Sequence, residues 1–402
     1  MRSIELFAGA GGLAMGIHLA GFMSDAVIEW DKWACDTIRE NQRRGNPLVA
    51  GWPLHEQDVR LFDFSSIKGE LELVAGGPPC QPFSLGGKHK AHSDKRDMFP
   101  TTIDTVRQLR PKAFLVENVK GLTRAAFANY LQYTILQLSY PDLARSSDEN
   151  WLEHLSRLEK EKTSGKLDGL IYDVIFRVVN AADYGIPQRR ERVFIVGFRH
   201  DLGVRWSFPE TTHSLDGLLY SQWISGEYWD HHKISRTKRG TAHGKHKDRV
   251  EKLRQIDAAD LKKPWRTVRD ALRGLPDPRN EAHPTSHNNH IFQPGARIYA
   301  GHTGSPLDFP AKTLKAGDHG VPGGENMLVT PDGDARYFTV RESARLQTFP
   351  DSYVFHGSWT ETMRQLGNAV PVALAHIMAA GIAGKLIESE TQRLTTKIRQ
   401  AA

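Results

Sequence analysis

Ser3-Ile4-Glu5-Leu6-Phe7-Ala8-Gly9-Ala10-Gly11-Gly12-Leu13-Ala14 reads as a short strand that passes through a glycine turn into a helix. Glycines at such a turn let a ligand approach the backbone closely, and the helix N-terminus behind them favours polar groups. Gly9-x-Gly11-x-x-Ala14 has the form of the dinucleotide fingerprint, and Glu29 lies 20 residues past Gly9, where it ends the next strand. An acid in that place can accept hydrogen bonds from ribose hydroxyls. The turn therefore predicts a nucleoside-containing cofactor, without choosing between a nicotinamide dinucleotide and S-adenosylmethionine.

Outward from this turn the first two hundred residues alternate apolar strands with helical stretches, the mark of a parallel α/β sheet with crossover helices. Ser3–Phe7, Ala26–Glu29, Leu71–Ala75 and Ala113–Glu117 read as strands, and Gly12–Ala20, Asp31–Asn41 and Thr101–Leu109 as the helices between them. Leu143–Lys166 is charged and helix-prone, as in a surface insertion, and Tyr172–Val179 with Arg192–Phe198 resembles a hairpin. Beyond about residue 200, aromatic, histidine and basic residues become frequent and periodicity fades. His283 to Gly333 is rich in Gly, Pro, Asn and His and reads as loop. Helical character returns at Thr339–Thr348 and from Glu361 onward.

The chain has 402 residues, more than the ~250–300 at which single cores stop growing, so two domains are expected. Its two cysteines exclude a disulfide framework and fit a reducing compartment. Glu5 interrupts the apolar N-terminus, which argues against a signal peptide. Ala369–Gly384 is apolar but contains Pro371 and His376 and is shorter than the ~20 residues a membrane span needs, so a buried helix is expected there. The net charge of +6 is concentrated: nine Lys/Arg against two acids give His231–Arg254 a charge of +7 and leave −1 for the rest. Such a patch is the electrostatic footprint of a polyanion.

Chemistry-bearing residues fall at strand ends. In Leu73-Val74-Ala75-Gly76-Gly77-Pro78-Pro79-Cys80-Gln81-Pro82-Phe83-Ser84 an apolar run ends in two glycines, and two prolines stiffen the backbone before the thiol. A nucleophile would be presented in this way, although a small buried residue in a Pro-rich loop is the plainer reading. Glu117 stands at the C-terminal end of another strand, where a carboxylate could hold or donate a proton or simply pair with an arginine. In Gln188-Arg189-Arg190-Glu191-Arg192, strand alternation puts Gln188, Arg190 and Arg192 on one face and turns Arg189 and Glu191 away. Asp58 could receive an adenine amino group or serve as a helix cap. Cys35 has the setting of a core residue, and the histidines at 283, 287, 290 and 302 lack the companions of a metal site, so no metal is expected.

Taken together these motifs resemble those of the cytosine-C5 DNA methyltransferases of bacterial restriction-modification systems, in the family's order and over essentially the whole chain. The run comprises Phe7–Gly12, Glu29-Trp30, Asp58, Pro79-Cys80-Gln81, Glu117-Asn118-Val119 and the Gln-x-Arg-x-Arg of 188–192. It ends with Arg341–Pro350 and Gly367-Asn368-Ala369-Val370-Pro371. The resemblance implies a class I S-adenosylmethionine-dependent methyltransferase fold, Rossmann-like with helices on both faces of a mostly parallel sheet, plus a smaller, irregular target-recognition domain. It implies domains at 1–199 (catalytic), 200–340 (target recognition) and 341–402, the last closing the small domain and returning to the catalytic one. Cys80, Glu117, Arg190, Arg192 and Gln188 become catalytic candidates. Phe7, Ala8, Gly9, Gly11, Gly12, Glu29, Trp30, Asp58, Val59, Pro79, Asn368 and Ala369 become cofactor-binding candidates for S-adenosylmethionine. Phe83–Lys95 resembles the family's mobile loop, so Ser84 and Lys88 join Lys233, Arg236, Lys238, Arg239, Lys245 and Lys247 as DNA-binding candidates. The implied partner is double-stranded DNA, with a cognate restriction endonuclease acting independently. The implied enzyme is a cytoplasmic, nucleoid-associated monomer of a prokaryote, with no membrane partner.

Overall fold

A computed structural model describes residues 1–79, 97–165, 169–240, 242, 244–280, 287–300, 302–316 and 326–401. The chain forms two compact units: Met1–Val179 with Glu191–Pro209 and Ala375–Ala402, and Asn180–Arg190 with Glu210–Leu374.

The first unit is built on β1 (Arg2–Leu6), α1 (Gly12–Leu19), β2 (Met23–Glu29), α2 (Lys32–Arg43), β3 (Leu54–Glu56) and β4 (Leu73–Gly76). It continues through α3 (Phe99–Leu109), β5 (Ala113–Val119), α4 (Ala128–Ser139), α5 (Trp151–Ser164), β6 (Tyr172–Asn180) and β7 (Glu191–Arg199). These strands make one seven-stranded sheet in the order β3-β2-β1-β4-β5-β7-β6. The pairs from β3 to β5 are parallel, and β7 runs antiparallel to β5. Every residue of β4 is buried, as is β1 from Ser3 to Leu6, which is the near-continuous burial expected of a sheet covered on both faces. Ile4, Val74, Phe114, Val116 and Ile195 share a core with Phe99 and Ile103 of α3 and Leu131 of α4. The α/β sheet and its helices are those anticipated from the sequence, with two additions. Three-residue β3 and helix α4 carry no strong periodic signal and were not anticipated.

Strand order reverses at β1, which has β2 on one side and β4 on the other. Open α/β sheets hold ligands outside the carboxyl ends of strands at such a switch point. Leu6 and Gly76 are register partners, so the glycine turn and the Gly77-Pro78-Pro79 segment leave the sheet from adjacent strands at the same level.

The second unit contains β8 (His213–Ser214), α6 (Leu215–Trp223), α7 (Glu227–His231), α8 (Lys247–Leu253), β9 (Lys263–Pro264) and α9 (Val268–Leu272). It continues with β10 (Ser305–Pro306), β11 (Met327–Val329), β12 (Ala335–Tyr337), α10 (Val340–Leu346) and α11 (Trp359–Asn368). Among the described residues its strands form a two-stranded and a three-stranded sheet. Its interior is mainly apolar but also holds buried charge. Arg336 makes a buried bidentate pair with Glu342, at 2.7 and 2.6 Å, and Glu342 also closes the capping box of α10 with Thr339. Arg341, fully buried, donates instead to the carbonyls of Asn288, Pro350 and Tyr353. The single helix expected from Glu361 onward is two, broken at Ala369–Pro371, because proline cannot continue a helix.

The last element, α12 (Val372–Ala401), enters the first unit at Ala375. A Cβ built on Gly16 of α1 would fall 2.4 Å from the Ala375 Cβ, so the two helices touch through their backbones. By composition α12 lies in a stretch apolar enough to cross a membrane. Its apolar residues Ala375, Met378, Ala379, Ile382 and Leu386 are nevertheless buried in protein, as the expectation of a buried helix required.

Candidate active site

In the first unit the turn after β1 is left-handed at three positions, with φ of +55° at Phe7, +54° at Gly9 and +88° at Gly11. Phe7 holds this conformation without being glycine, which costs of order 1–3 kcal/mol and signals a constraint at a functional turn. A Cβ on Gly9 would meet nothing within 4 Å, so the floor of the turn is open, whereas one on Gly11 would strike the Trp52 ring at 2.8 Å. Ala8 and Gly12 are buried within the turn, and Trp30 stands 70% exposed at its side.

Glu29 fixes the geometry. Its Oε2 accepts the Gly9 N–H at 2.6 Å, and its Oε1 accepts those of Trp30 at 2.8 Å and Asp31 at 2.7 Å. Burial pushes its pKa up against the opposing pull of these N–H groups. A carboxylate offers about four lone-pair sites, so one on Oε2 is left for a ligand hydroxyl. An open glycine floor, an acid with one acceptor site to spare and an exposed indole suit a nucleoside, which is the chemistry S-adenosylmethionine would present. Asp58 caps the turn that contains buried Val59, accepting the Arg60 N–H at 2.9 Å, and its carboxylate is engaged by the Arg60 guanidinium. The Arg60 hydrogen bonds hold the Asp58 pKa below the usual carboxylate range. It is thus a helix cap, and an adenine amino group would have to share it with Arg60.

On the neighbouring strands the sheet edge assembles the second cluster. β5 and β7 pair with Glu117 opposite Phe194 and Val119 opposite Arg192. The Arg192 Nε lies 3.0 Å from Glu117 Oε1, both side chains being largely buried. Gly77 gives this carboxyl room, for a Cβ there would come within 3.2 Å of Glu117 Oε2. Asn118 donates its amide to the Pro78 carbonyl at 3.0 Å and so ties the segment after β4 to the end of β5. Gly77 and Asn118 were quoted within motifs but given no task by sequence reasoning, because their roles are a matter of space and of one cross-strand hydrogen bond. Pro79 is exposed, and Cys80, Ser84 and Lys88 lie outside the described residues.

In the second unit Gln188 and Arg190 are fully buried while Arg189 is exposed, the alternation the sequence suggested. Arg190 donates to the carbonyls of Leu314 at 3.1 Å and Gly367 at 2.7 Å. Gln188 donates to Gln347 Oε1 at 3.1 Å and accepts the Leu314 N–H at 3.0 Å. Gly367 is required: a Cβ there would lie 2.2 Å from the Ala316 backbone nitrogen. Asn368 is exposed at the end of α11 and Ala369 is buried. Of the basic segment, Lys233, Arg236, Lys238 and Lys247 are exposed. Arg239 is drawn into a pair with Asp230 and a 3.1 Å hydrogen bond to the Ile234 carbonyl. The Lys245 side chain is outside the described ones.

His290 is buried between Thr339 Oγ1 and the Pro276 carbonyl, both at 2.9 Å, and so belongs to the interior rather than to a ligand surface. Among the described residues, His231, His232 and Asp270 bring donor atoms within 4.8 Å of one another. Arg273 points a guanidinium at His231 Nε2, at 3.1 Å, where a cation would be repelled. Cys35 is buried, its thiol pKa pushed up to about 12 by burial, and fits the core role expected of it.

Comparison with known proteins places these features in a class and then in a family. Solved structures of a Schizosaccharomyces pombe Dnmt2 methyltransferase (TM-score 0.52, 18% identity) and an Entamoeba histolytica methyltransferase, EhMeth (0.54, 13%), share the fold. Each is matched over 96% of this chain and over 99% and 98% of its own length, respectively. The fold is that of the class I S-adenosylmethionine-dependent methyltransferases.

The sequence profile of C-5 cytosine-specific DNA methylases matches residues 1–140 and 149–384, and the chain belongs to that family. Among similar curated proteins, the Type II methyltransferase M.PspPI of Psychrobacter sp. (strain TA137) is 31% identical over 92% of this chain and 76% of its own. M.NgoMIV of Neisseria gonorrhoeae is 30% identical over 94% and 96%. The protein is a cytosine-5 DNA methyltransferase and its substrate is DNA.

Proposed function

We propose that this enzyme methylates C5 of a cytosine flipped out of duplex DNA through a covalent bond between Cys80 and C6, with Glu117 and Arg192 serving the reacting ring. The observation that carries the reading is the Glu117–Arg192 pair, 3.0 Å apart where β5 meets β7, beside the Gly77-Pro78-Pro79 segment that leaves β4 and leads in the sequence to Cys80. Cytosine C5 is a poor nucleophile, and attack by a thiolate on C6 pushes electron density toward C5 and toward N3 and O2. A carboxyl at N3 and a guanidinium at O2 stabilise charge where it develops. Arg192 also holds Glu117 in place, so the two act as one unit. The methyl group passes to C5 as its bond to the donor's sulfonium sulfur would break to leave a thioether, the C5 proton is taken up by water, and the C6–S bond breaks to restore the aromatic ring and the Cys80 thiolate. S-adenosylmethionine supplies the methyl group when bound. Its nucleoside would rest on the turn from Phe7 to Gly12 and on Glu29, with Trp30, Asp58 and Val59 at the adenine end. Pro79 completes the proposed cofactor set of the first unit, and Asn368 and Ala369 are cofactor candidates on the family resemblance alone. Gln188 and Arg190 brace the backbone at Leu314, Gln347 and Gly367, and their contribution is positioning.

A base inside a duplex cannot reach such a site, and extruding it costs a few kcal/mol. The exposed lysines and arginine of the basic segment, with Ser84 and Lys88, would hold the phosphates. Similarity to Type II methyltransferases supports an enzyme that marks host DNA; that it acts as a cytoplasmic monomer beside a separate cognate endonuclease is part of the proposal. The test is to express the full chain, map 5-methylcytosine in the DNA of the host, and repeat with Cys80→Ser. The variant should bind S-adenosylmethionine, methylate nothing and form no trapped adduct with duplexes carrying 5-fluorocytosine. Turnover by the serine variant would refute the covalent route.

A further inference from the structure

Glu29 and Asp58 stand at the carboxyl ends of neighbouring strands. β2 and β3 pair with Glu29 opposite Glu56, and the Gln57 N–H donates to the Glu29 carbonyl at 2.9 Å. The chain after β3 is thereby tied to the end of β2, and Asp58 follows at once as the cap of Val59–Leu61. Val59 and Phe64 anchor this stretch in the core of the first unit. Two carboxylates are thus mounted next to each other on the edge of the sheet that the proposed cofactor site occupies.

The two acids differ in what holds them. Glu29 is buried and accepts three backbone N–H groups. Asp58 is only half-buried, and among the described residues every hydrogen bond to its carboxylate comes from Arg60. Oδ1 accepts the Arg60 N–H at 2.9 Å, Nε lies 3.0 and 3.1 Å from Oδ1 and Oδ2, and Nη2 donates to Oδ2. This is the fork of a guanidinium on a carboxylate, which fixes direction as well as distance. Three donors meet a group with about four acceptor sites, so one site remains and its direction is set by Arg60. The Arg60 side chain is itself 52% exposed, so the fork is not there to satisfy a buried charge.

We infer that Arg60 is a positioning residue that makes the cofactor site selective for a 6-aminopurine: gripping Asp58, it aims the remaining acceptor site at the adenine amino group. An amino group there gives a charge-assisted hydrogen bond, whereas a 6-oxo group sets acceptor against acceptor. A 6-oxopurine also carries a proton on the neighbouring ring nitrogen, N1. A carboxylate free to turn would accept that proton and bind both purines, while one held by the fork cannot follow it. Specificity then comes from the arginine that fixes the acid and not from the acid alone. The inference rests on the place proposed above for Asp58 at the adenine end, and adds what gives that acid its direction.

The experiment measures, by calorimetry on the full chain, binding of S-adenosylhomocysteine and of S-inosylhomocysteine, in which the 6-amino group is replaced by a 6-oxo group. The unaltered enzyme should prefer the adenosyl compound by at least about tenfold. Arg60→Ala keeps both Asp58 and the capping N–H, and it should lose most of that preference with the urea midpoint unchanged. Arg60→Lys should restore part of it, because one ammonium cannot span both oxygens. A preference that survives Arg60→Ala intact, or an equal loss of affinity for both compounds, would overturn the inference. So would tighter binding of the adenosyl compound by Arg60→Ala, which would make the arginine a competitor for Asp58. Asp58→Ala separates the two readings: if that variant keeps the full preference, the placing of Asp58 at the adenine is what fails.

Discussion

Arg190 and Arg192 are two residues apart, both largely or wholly buried, and they are engaged by different groups. Arg192 pairs with a carboxylate, Glu117, while Arg190 donates to the carbonyls of Leu314 and Gly367. A guanidinium on carbonyls makes a brace: its donors satisfy backbone that would otherwise lie unpaired in the interior. A guanidinium beside a carboxylate at a strand end can serve a substrate, which is the role proposed above for Arg192 and Glu117. On that proposal the same residue type, two positions apart, serves structure at one position and chemistry at the other.

One substitution made twice separates these tasks. Arg190→Lys cannot reach both carbonyls with a single ammonium, and it is expected to cost about 2–4 kcal/mol of stability, read from urea unfolding. Arg192→Lys keeps the charge beside Glu117 but loses the planar fork. It should leave the urea midpoint nearly unchanged while slowing single-turnover methylation by up to about 10²-fold. Equal stability losses at the two positions would dissolve the distinction.

A third buried charge sharpens the comparison. Glu5 of β1 accepts the Ser3 hydroxyl at 2.6 Å, and burial, outweighing its hydrogen bonds, pushes its pKa up to about 7 from an ordinary 4.5. Below pH 4.5 the acid is neutral in both folded and unfolded chains, and its stabilising effect is fully present. As pH rises toward 7 the unfolded carboxyl ionises while the folded one resists, so this contribution is lost through that window. Glu5→Gln should flatten the fall in stability between about pH 5 and 7, an effect of about 2 kcal/mol or less. The smallest effect is expected at the surface. Lys238→Ala should reduce the slope of log affinity against log salt by about 1 for one lost phosphate contact. Arg239→Ala, already engaged with Asp230, should reduce it less.

Much of the first unit was legible because its signals are local. A glycine turn, an acid 20 residues on and apolar runs of strand length appear in the sequence as they do in the sheet. The pairing of Glu117 with Arg192 was only half legible. Each was marked as a candidate, but the register of β5 on β7 that joins them is a long-range fact. The second unit resisted for a different reason. Its helices α6 to α9 run from five to nine residues, too short for periodicity to stand out. Its interior rests on buried arginines such as Arg336 and Arg341, which a sequence shows only as charge. The burial of His290 is equally hidden, since nothing near it in the chain announces Thr339 or the Pro276 carbonyl.

The close packing of Gly16 on Ala375 carries a consequence for how the protein is made. The first unit holds β1 and α1, yet the face of α1 at Gly16 is covered only by residues from Ala375 onward, which are made much later. The ribosome thus finishes residues 210–374 of the second unit before it supplies the helix that packs on α1. A chain stopped short of Ala375 leaves that contact of the first unit unmade.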